Sequence, residues 1–571
     1  MLIGLAAIGL PFIPGWAQLR PFVGDLILIG ATVAVLLAPF FAVRRTNLTC
    51  AIVALAGVAL AFAAQLAVVL AGGDDGLHFR GILVADPFGG MWKLLLLLFV
   101  AGVILMWFTT SAQAMHEGDG PEYFTLLLAA TLGMSLMAST TNLLMLFLAV
   151  EMASLPSYVL AGFRKTHRIG AEASLKYVLF GAATAAVMVF GLTYLYGLYG
   201  SLQLEEIAAR IGQTTAAAGI GGQALLAVAM AGLLVGIGFK ISAVPLHFWC
   251  PDVFEGATID VTTFLSVASK GAALVLLLRV VTTLAQGLGF QGNAGVSLTT
   301  LAAVIGVMGA VTATVGNLGA LVQNNIKRLL AYSSIAHAGY MLCAVSLLVR
   351  NKAVLVDNGG LSAPAQAILL YLAVYLFMNL GAFTVAGLIW RQTGSEDVND
   401  YAALWRRSPV AAACMTAFMF SLIGLPPFAG FAAKFNLMWA LGSNGGWWWW
   451  LVAVIGANTI FSLYYYVRIV KIMYLSPSDA AAVPVNPLGL GLAVACAAAL
   501  LLMFVGYGPL GRVTTDYGRL YLTTAAAATT TPASAAPAAP SGSPTTAPAP
   551  GGGGGGGAAP TTQTAMAPGQ R

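Results

Sequence analysis

Residues 234–249 read LVGIGFKISAVPLHFW, an apolar run that carries one lysine, Lys240, and then reaches Pro245. An ionised lysine at the centre of a membrane helix costs ~2.5 to 3.5 kcal/mol, so a charge in such a run requires a partner or water. Proline removes a backbone donor and breaks the helix, which frees carbonyl groups at the same place. A broken helix that carries a charge therefore predicts a hydrated site inside a membrane protein.

The whole chain has the composition of a membrane protein. Of its 571 residues 59% are apolar and 8% are charged, whereas a soluble domain carries roughly 25% charged residues. We expect an all-α, polytopic membrane protein with about 14 transmembrane helices, because that many apolar segments are long enough to cross ~30 Å of hydrocarbon. The segments are 22–43, 47–71, 91–110, 122–139, 141–163, 173–199, 223–247, 258–285, 298–322, 326–348, 364–389, 408–440, 446–474 and 485–508.

The basic residues indicate topology and not nucleic-acid binding. The formal net charge is +6, but lysine and arginine occur singly or in pairs between apolar runs, without a basic stripe interleaved with aromatics. Loops rich in lysine and arginine stay on the cytoplasmic side. The side predicted to be cytoplasmic carries Arg44, Arg45, Arg164, Lys165, Arg168, Lys327, Arg328, Arg391, Arg406, Arg407, Arg468 and Lys471. The opposite loops hold only Arg80, Arg210, Arg350 and Lys352. With an even number of helices, both termini are predicted to face outward.

The termini and the cysteines carry few signals. Five cysteines lie far apart and without C-x-x-C spacing, so we expect no redox cofactor and no metal in this chain. The N-terminus shows no basic region before its first apolar stretch, which predicts an uncleaved end. From Thr523 onward the chain is Ala, Pro, Thr, Ser and Gly, a composition typical of disorder. That tail is either a tether or a dispensable extension.

Among the lysines inside predicted spans, three stand out by their depth or by a nearby proline: Lys240, Lys270 and Lys434. Lys270 is twelve residues into its segment, about 18 Å along the axis and close to the bilayer midplane. Lys434 follows Pro426 and Pro427 in SLIGLPPFAGFAAKF (421–435), a second proline-broken helix with a charge. We interpret the three lysines as groups along a hydrated path.

One carboxylate lies at the centre of a span. Glu151 occurs in LMLFLAVEMASLPSYVL (144–160), and Lys240 is its candidate partner. Burial favours a neutral amine, whereas a nearby carboxylate favours the ammonium form, so a changing contact between them would load and release a proton. The alternative is a static ion pair that holds two helices together.

Four further groups have weaker signals. Lys176 follows Glu172 by one turn, so an interfacial i,i+4 pair and a transport role both fit. Lys93 stands near a helix start and is predicted to snorkel to the interface. His247 and His337 are able to shuttle protons near neutral pH, but a lone histidine is more often a packing residue, and the relay role is favoured only for His337.

Four motifs carry a resemblance to a known family. They are FKISAVPLHFWCPDVFEGA (239–257), TTFLSVASKGA (262–272), NNIKRLLAYSSIAHAGYML (324–342) and SLIGLPPFAGFAAKFNLM (421–438). In this order they resemble the antiporter-like membrane subunits of bacterial respiratory complex I, the NADH-quinone oxidoreductase, and among these the N type. Lys434 supports the N type, since the M type is expected to carry a glutamate there. The resemblance covers residues 22 to 508.

The resemblance implies two inverted five-helix repeats, each with a broken helix, flanked by extra helices. It divides the chain into N-terminal helices (1–121), a first repeat (122–286), a second repeat (287–476), a last helix (477–522) and the tail (523–571). It implies that Glu151 and Lys240 form the first half-channel, that Lys270 bridges, and that Lys434 faces the exit. Thr258 and Asp260 depart from the pattern, because the family often has prolines there.

The implied function is proton translocation coupled to NADH oxidation and quinone reduction in other subunits. NADH, FMN, iron–sulfur clusters and quinone are expected in those partners, with K-like and M-like membrane subunits as neighbours in the bacterial inner membrane. Two alternatives remain: a subunit of a multi-subunit Na⁺/H⁺ antiporter, which shares the buried lysines, and a purely structural scaffold.

Overall fold

The computed structural model describes residues 14–41, 45–73, 75–111, 115–164, 167–217, 219–287, 298–348, 363–478 and 485–516. Arg44, Lys165, Arg350, Lys352 and the tail from Thr523 onward lie outside these residues. Within them the chain is almost entirely helical, and twelve helices are long and apolar enough to cross a membrane. The predicted all-α membrane fold is confirmed.

Eighteen helices of eight or more residues occur in the described residues. They are α1 Val23–Phe41, α2 Thr46–Ala71, α3 Pro87–Thr110, α4 Gly120–Met137, α5 Leu143–Ala161, α6 Arg168–Tyr199, α7 Leu204–Ala217, α8 Gly219–Ile241, α9 Trp249–Gly256, α10 Ile259–Ala285, α11 Leu298–Leu321, α12 Ile326–Leu348, α13 Ala363–Thr393, α14 Pro409–Ile423, α15 Ala429–Gly442, α16 Trp448–Leu475, α17 Pro487–Val505 and α18 Tyr507–Asp516.

Shorter elements connect these helices. Helical turns occur at Trp16–Leu19, Arg20–Phe22, Phe79–Gly81, Val398–Tyr401 and Leu404–Arg407. Strands β1 (Gly76–His78) and β2 (Leu83–Ala85) pair antiparallel between α2 and α3. The hairpin and the amphipathic helix α7 were not predicted from the sequence.

The helices fall into two series of five crossings. The first is α4, α5, α6, the pair α8 and α9, and α10; the second is α11, α12, α13, the pair α14 and α15, and α16. Because five is an odd number, the second series begins on the opposite side of the membrane from the first. Twelve apolar spans, the shorter helix α4 and the broken pair α14 and α15 correspond to the fourteen predicted segments.

The fourth crossing of each series is broken. Helix α8 ends at Ile241, and the chain passes Pro245 before α9 starts. Helix α14 ends at Ile423, followed by Gly424 with a left-handed φ of 89°. The Val244–Pro245 and Pro426–Pro427 peptide bonds are both cis. Each break leaves a lysine next to backbone that no longer forms a regular helix.

The core lies along α10, α12 and α13. Of their apolar windows 100%, 94% and 94% are buried, against 22% for α2 and α17. The latter pair therefore presents most of its surface to the outside of this chain, while the former three are enclosed by it. Close helix contact relies on small residues: a Cβ atom at Gly339 in α12 would collide with the backbone of Ala313 in α11.

Candidate functional site

Lys240 lies at the end of α8 and is 2% exposed. Its Nζ is 5.4 Å from the centroid of the Tyr158 ring and 5.6 Å from that of Tyr177. Glu151, half-buried on α5, interacts electrostatically with it. The two groups do not approach within the 4.0 Å of an ion pair, and no hydrogen-bond partner of Lys240 Nζ occurs in the described residues. The arrangement is a separated pair with aromatic faces around the cation.

Lys270 lies at the centre of α10, eleven residues after Ile259 and therefore about 16 Å along the axis. It follows a π-helical turn at Leu265–Ser269, a feature often found at functional positions. Its Nζ donates to Ser334 Oγ on α12 at 2.5 Å and to Cys250 Sγ on α9 at 3.4 Å. Lys270 thus joins the first broken helix to the second series of helices.

His337 occupies the middle of α12, one turn after the serine that binds Lys270. Its Nδ1 is 2.7 Å from the Tyr371 hydroxyl, and its Nε2 is 3.5 Å from the Tyr466 hydroxyl. The imidazole is fully buried and interacts electrostatically with both Lys434 and Lys270. The histidine therefore responds to the charge of one lysine from each series.

Lys434 lies at the second helix break and is 4% exposed. Its Nζ donates to the carbonyls of Ile423 at 2.9 Å and Leu422 at 3.3 Å, which are the groups freed where α14 ends. The same ammonium lies 4.9 Å from the Tyr340 ring, whose hydroxyl accepts from Asn317 at 2.8 Å. A broken helix thus supplies ligands for a cation in the membrane interior.

Five titratable side chains with these contacts form what we call the interior series: Glu151, Lys240, Lys270, His337 and Lys434. Glu151 interacts electrostatically with Lys240, and His337 with Lys270 and Lys434, while Lys270 and Lys434 also make the hydrogen bonds given above. The series crosses from the first set of helices to the second at the contact between α10 and α12. The series therefore contains titratable side chains from both sets of helices.

Comparison with known proteins identifies the family. Residues 140–460 match the family described as NADH:quinone oxidoreductase/Mrp antiporter, TM. An NADH-quinone oxidoreductase subunit N from Anaeromyxobacter is 40% identical over 488 residues, which cover 82% of this chain and 91% of the relative. This chain belongs to the subunit N family of NADH-quinone oxidoreductase.

Two solved structures share the fold of this chain. A chain of respiratory complex I from Thermus thermophilus with bound aureothin superposes with a TM-score of 0.67 at 31% identity, covering 86% of this chain and 98% of that chain. A chain of the Mrp complex from Dietzia superposes with a TM-score of 0.71 at 21% identity, covering 88% and 97%. The second likeness shows a shared fold alone.

Two other candidate residues of this subunit N chain lie beside the series. Lys176 on α6 is 39% exposed and forms ion pairs with Glu172 at 2.8 Å and with Asp252 at 2.7 Å. The i,i+4 pair is therefore present, together with a contact to α9. His247 lies between α8 and α9 and interacts electrostatically with Lys270, and its Nδ1 has no hydrogen-bond partner in the described residues.

The snorkelling prediction for Lys93 is wrong. Its side chain is 4% exposed, and Nζ binds Asp25 Oδ2 at 2.6 Å. Ser135 donates to the other oxygen of the same carboxylate at 2.5 Å. Asp25 on α1 thus links Lys93 on α3 and Ser135 on α4, and the two charged residues are 68 positions apart in sequence. The position of Lys93 in its helix could not predict this ion pair.

A second buried ion pair also escaped the sequence analysis. Arg279 on α10 binds Asp86, the residue before α3, through Nη1 at 2.8 Å and Nη2 at 3.0 Å. Both side chains are almost fully enclosed, at 2% and 0% exposure.

Asp260, where the family often has proline, accepts hydrogen bonds from Ser111 at 2.5 Å and from Tyr123. It fastens the start of α10 to α3 and α4.

Potential metal ligands are dispersed in the part of the chain that the structure describes. No group of three or more His, Cys, Asp or Glu residues there is arranged to hold an ion. The five cysteines are buried and unpaired with one another. Among the described hydrogen bonds of these cysteines, only that of Cys250 involves one of the buried lysines, Lys270.

Proposed function

We propose that this chain is the proton-translocating membrane subunit of NADH-quinone oxidoreductase, and that it moves protons through its buried lysines and glutamate. NADH oxidation and quinone reduction occur in other subunits and reach this chain as changes in electrostatics. The observation that supports the proposal most is the interior series from Glu151 to Lys434, in a chain whose relatives are subunit N proteins.

The proton advances from Lys240 through Lys270 to Lys434, with His337 as the carrier between the last two. Lys270 on α10 binds Ser334 on α12, and His337 lies one turn beyond this serine on α12. His337 interacts electrostatically with both lysines. Each gain or loss of charge biases the next group. At an effective dielectric of about 20, one charge about 8 Å away contributes ~2 kcal/mol. Moving a proton against ~100 mV takes ~2.3 kcal/mol, so a single neighbouring charge nearly suffices.

The roles of Lys176 and His247 follow from their places beside this series. His247 stands at the first helix break, where a proton arriving at Lys270 would change its charge environment. Lys176 holds the cytoplasmic end of α9 through Asp252. We assign His247 to proton transfer and Lys176 to positioning the half-helix that carries Cys250.

The chain is expected in the bacterial inner membrane between K-like and M-like neighbours, with residues 122–286 and 287–476 as the two repeats. NADH, FMN, iron–sulfur clusters and quinone belong to its partners. Both termini face outward in this proposal. Contacts among the basic ends support a single cytoplasmic face, since Arg164 stacks on Trp390 and Lys327 binds Glu396.

Proton transport by the assembled complex in reconstituted vesicles tests the proposal. Glu151→Gln and Lys240→Ala should assemble and lose most NADH-driven proton uptake, because each removes a titratable group from the interior series. Lys471→Ala is the matched control, since this lysine is exposed at the cytoplasmic end of α16. Normal proton uptake in both interior variants would exclude the proposal.

The same vesicles separate the alternatives. A scaffold predicts that Lys240→Ala pumps normally, whereas a Na⁺/H⁺ antiporter predicts proton movement that depends on a sodium gradient and not on NADH. The shared fold with the Mrp complex chain, at 21% identity, does not favour the antiporter over the subunit N relatives.

A further inference from the structure

The thiol of Cys250 occupies the point where the first broken helix meets Lys270. Cys250 lies on α9 with 0% exposure, and its Sγ accepts a hydrogen bond from Lys270 Nζ at 3.4 Å. No carboxylate lies within 4.0 Å of that ammonium in the described residues. Lys270 Nζ thus contacts two proton-bearing side chains, the Ser334 hydroxyl at 2.5 Å and the Cys250 thiol at 3.4 Å, and the thiol is the stronger acid of the two.

On its other side Cys250 is connected toward Lys240 through Tyr177. The Tyr177 ring lies 5.6 Å from Lys240 Nζ and stacks on Trp249, the neighbour of Cys250, at 4.3 Å. Its hydroxyl interacts with Cys250 and Ser269. Neither the Tyr177 nor the Ser269 hydroxyl makes a well-formed hydrogen bond within the described contacts. Both hydroxyls thus have donor and acceptor capacity to spare in the space between the two lysines.

We propose that Cys250 is a proton-transfer residue between Lys240 and Lys270. The Cys250 S–H bond breaks as an N–H bond forms on the neutral Lys270 amine, which leaves a thiolate beside an ammonium. The thiolate then takes the Tyr177 hydroxyl proton, while the Tyr177 oxygen regains a proton from the Lys240 ammonium through intervening water, since the two groups make no direct hydrogen bond. One proton has moved, Lys240 is neutral, Lys270 is charged, and thiol and hydroxyl are restored. This inference rests on the proposed function of the interior series.

A thiol suits this position because it is a stronger acid than a serine or threonine hydroxyl and still donates and accepts. In surroundings of low dielectric a separated thiolate is costly, so a thiolate formed here persists only while the Lys270 ammonium stays in contact. The intermediate therefore decays in one of two directions, and the electrostatics around Lys240 decide which.

Substitution of Cys250 in the full complex tests the inference. Cys250→Ala should slow NADH-driven proton uptake by roughly 100-fold, the low end of what a proton-transfer group contributes. Cys250→Ser should fall between alanine and the wild type, because its hydroxyl relays a proton but yields it less readily. Cys343→Ala is the matched control: this cysteine is equally buried on α12, six residues beyond His337. Wild-type uptake by Cys250→Ala would overturn the inference.

A spectroscopic measurement separates proton transfer from mere packing and does not require the alanine variant to assemble. Infrared difference spectra of the wild-type complex during turnover should show loss and recovery of an S–H stretching band. The band should be missing from Cys250→Ser and present in Cys343→Ala. A Cys250 S–H band that never changes during turnover would show that the thiol keeps its proton, and the inference would be wrong.

Lys270→Ala distinguishes failure of this inference from failure of the proposed function. If Lys270→Ala abolishes proton uptake while Cys250→Ala leaves it unchanged, the interior series stands and protons bypass the thiol. If neither variant affects uptake, the proposed route through Lys270 fails as a whole.

Discussion

Replacing Arg279 with leucine should destabilise this protein strongly, because it leaves the Asp86 carboxylate buried without its cation. The guanidinium makes two hydrogen bonds to Asp86, and its Nε donates to the Ala138 carbonyl at 2.7 Å. The Gly89 amide still donates to the carboxylate at 2.8 Å after the change, but the guanidinium contacts are lost. The structure thus predicts the loss of three charge-assisted contacts at once.

The expected magnitude follows from these contacts. Hydrogen bonds to charged groups contribute about 1.5 kcal/mol each at the low end, so three amount to ~4.5 kcal/mol. Breaking a buried ion pair from one side costs ~3 to 5 kcal/mol, and the two figures agree. At 1.36 kcal/mol per decade, the unfolded fraction should rise by roughly 10² to 10⁴.

Unfolding of the chain in mixed micelles, followed by protease resistance as the denaturing detergent is increased, measures this change. Arg210→Leu is the matched control, since that arginine is 49% exposed in an i,i+4 pair with Glu206 and should cost below ~1 kcal/mol. The double variant Asp86→Leu with Arg279→Leu should recover much of the lost stability, because an apolar pair of similar volume replaces the ion pair. Equal stability of Arg279→Leu and Arg210→Leu would refute the reasoning.

Three further changes have distinct expected results. Lys93→Met leaves Asp25 buried without its ion-pair partner, which should lower the free energy of unfolding by ~3 kcal/mol. The amount of this chain in membranes, measured by immunoblot, should fall in consequence, and an unchanged amount would contradict the pairing. Tyr371→Phe removes the hydrogen bond to His337 and should slow proton uptake up to about fivefold, for a loss of ~1 kcal/mol, with assembly intact. Unaltered uptake would place this tyrosine outside the route. Gly133→Val would force a side chain into the backbone of α5 at a cost of ~1 to 3 kcal/mol, lowering assembly on native gels; full assembly would show that the two helices separate easily.

The sequence predicted the membrane helices well because the signal for each is local. A run of about twenty apolar residues can satisfy its backbone in lipid only as a helix. Predicted segments such as 47–71 and 298–322 match α2 and α11 within one residue. The breaks after Ile241 and Ile423 were also readable, since proline and a lysine stand together in the chain.

The functional residues could be predicted only in part from the sequence, because the depth of a residue in the membrane does not give the direction in which its side chain points. Lys93 and Lys270 are both lysines in apolar runs, yet one closes an ion pair and the other contacts a serine and a thiol. The cysteines were considered only as ligands of a metal or cluster, for which the C-x-x-C spacing is missing, whereas the partner of Cys250 is a lysine on another helix. No spacing rule would have found it.

The amino-acid sequence by itself determined that the chain enters the membrane, where its helices lie and where two of them break, because transfer of apolar residues and loss of a backbone donor are properties of short segments. Only the tertiary structure decided which buried charges meet. Asp86 and Arg279 are 193 residues apart, and Lys270 reaches Ser334 across 64. Such contacts depend on how each helix is rotated against its neighbours, and that rotation is set by the packing of the whole bundle.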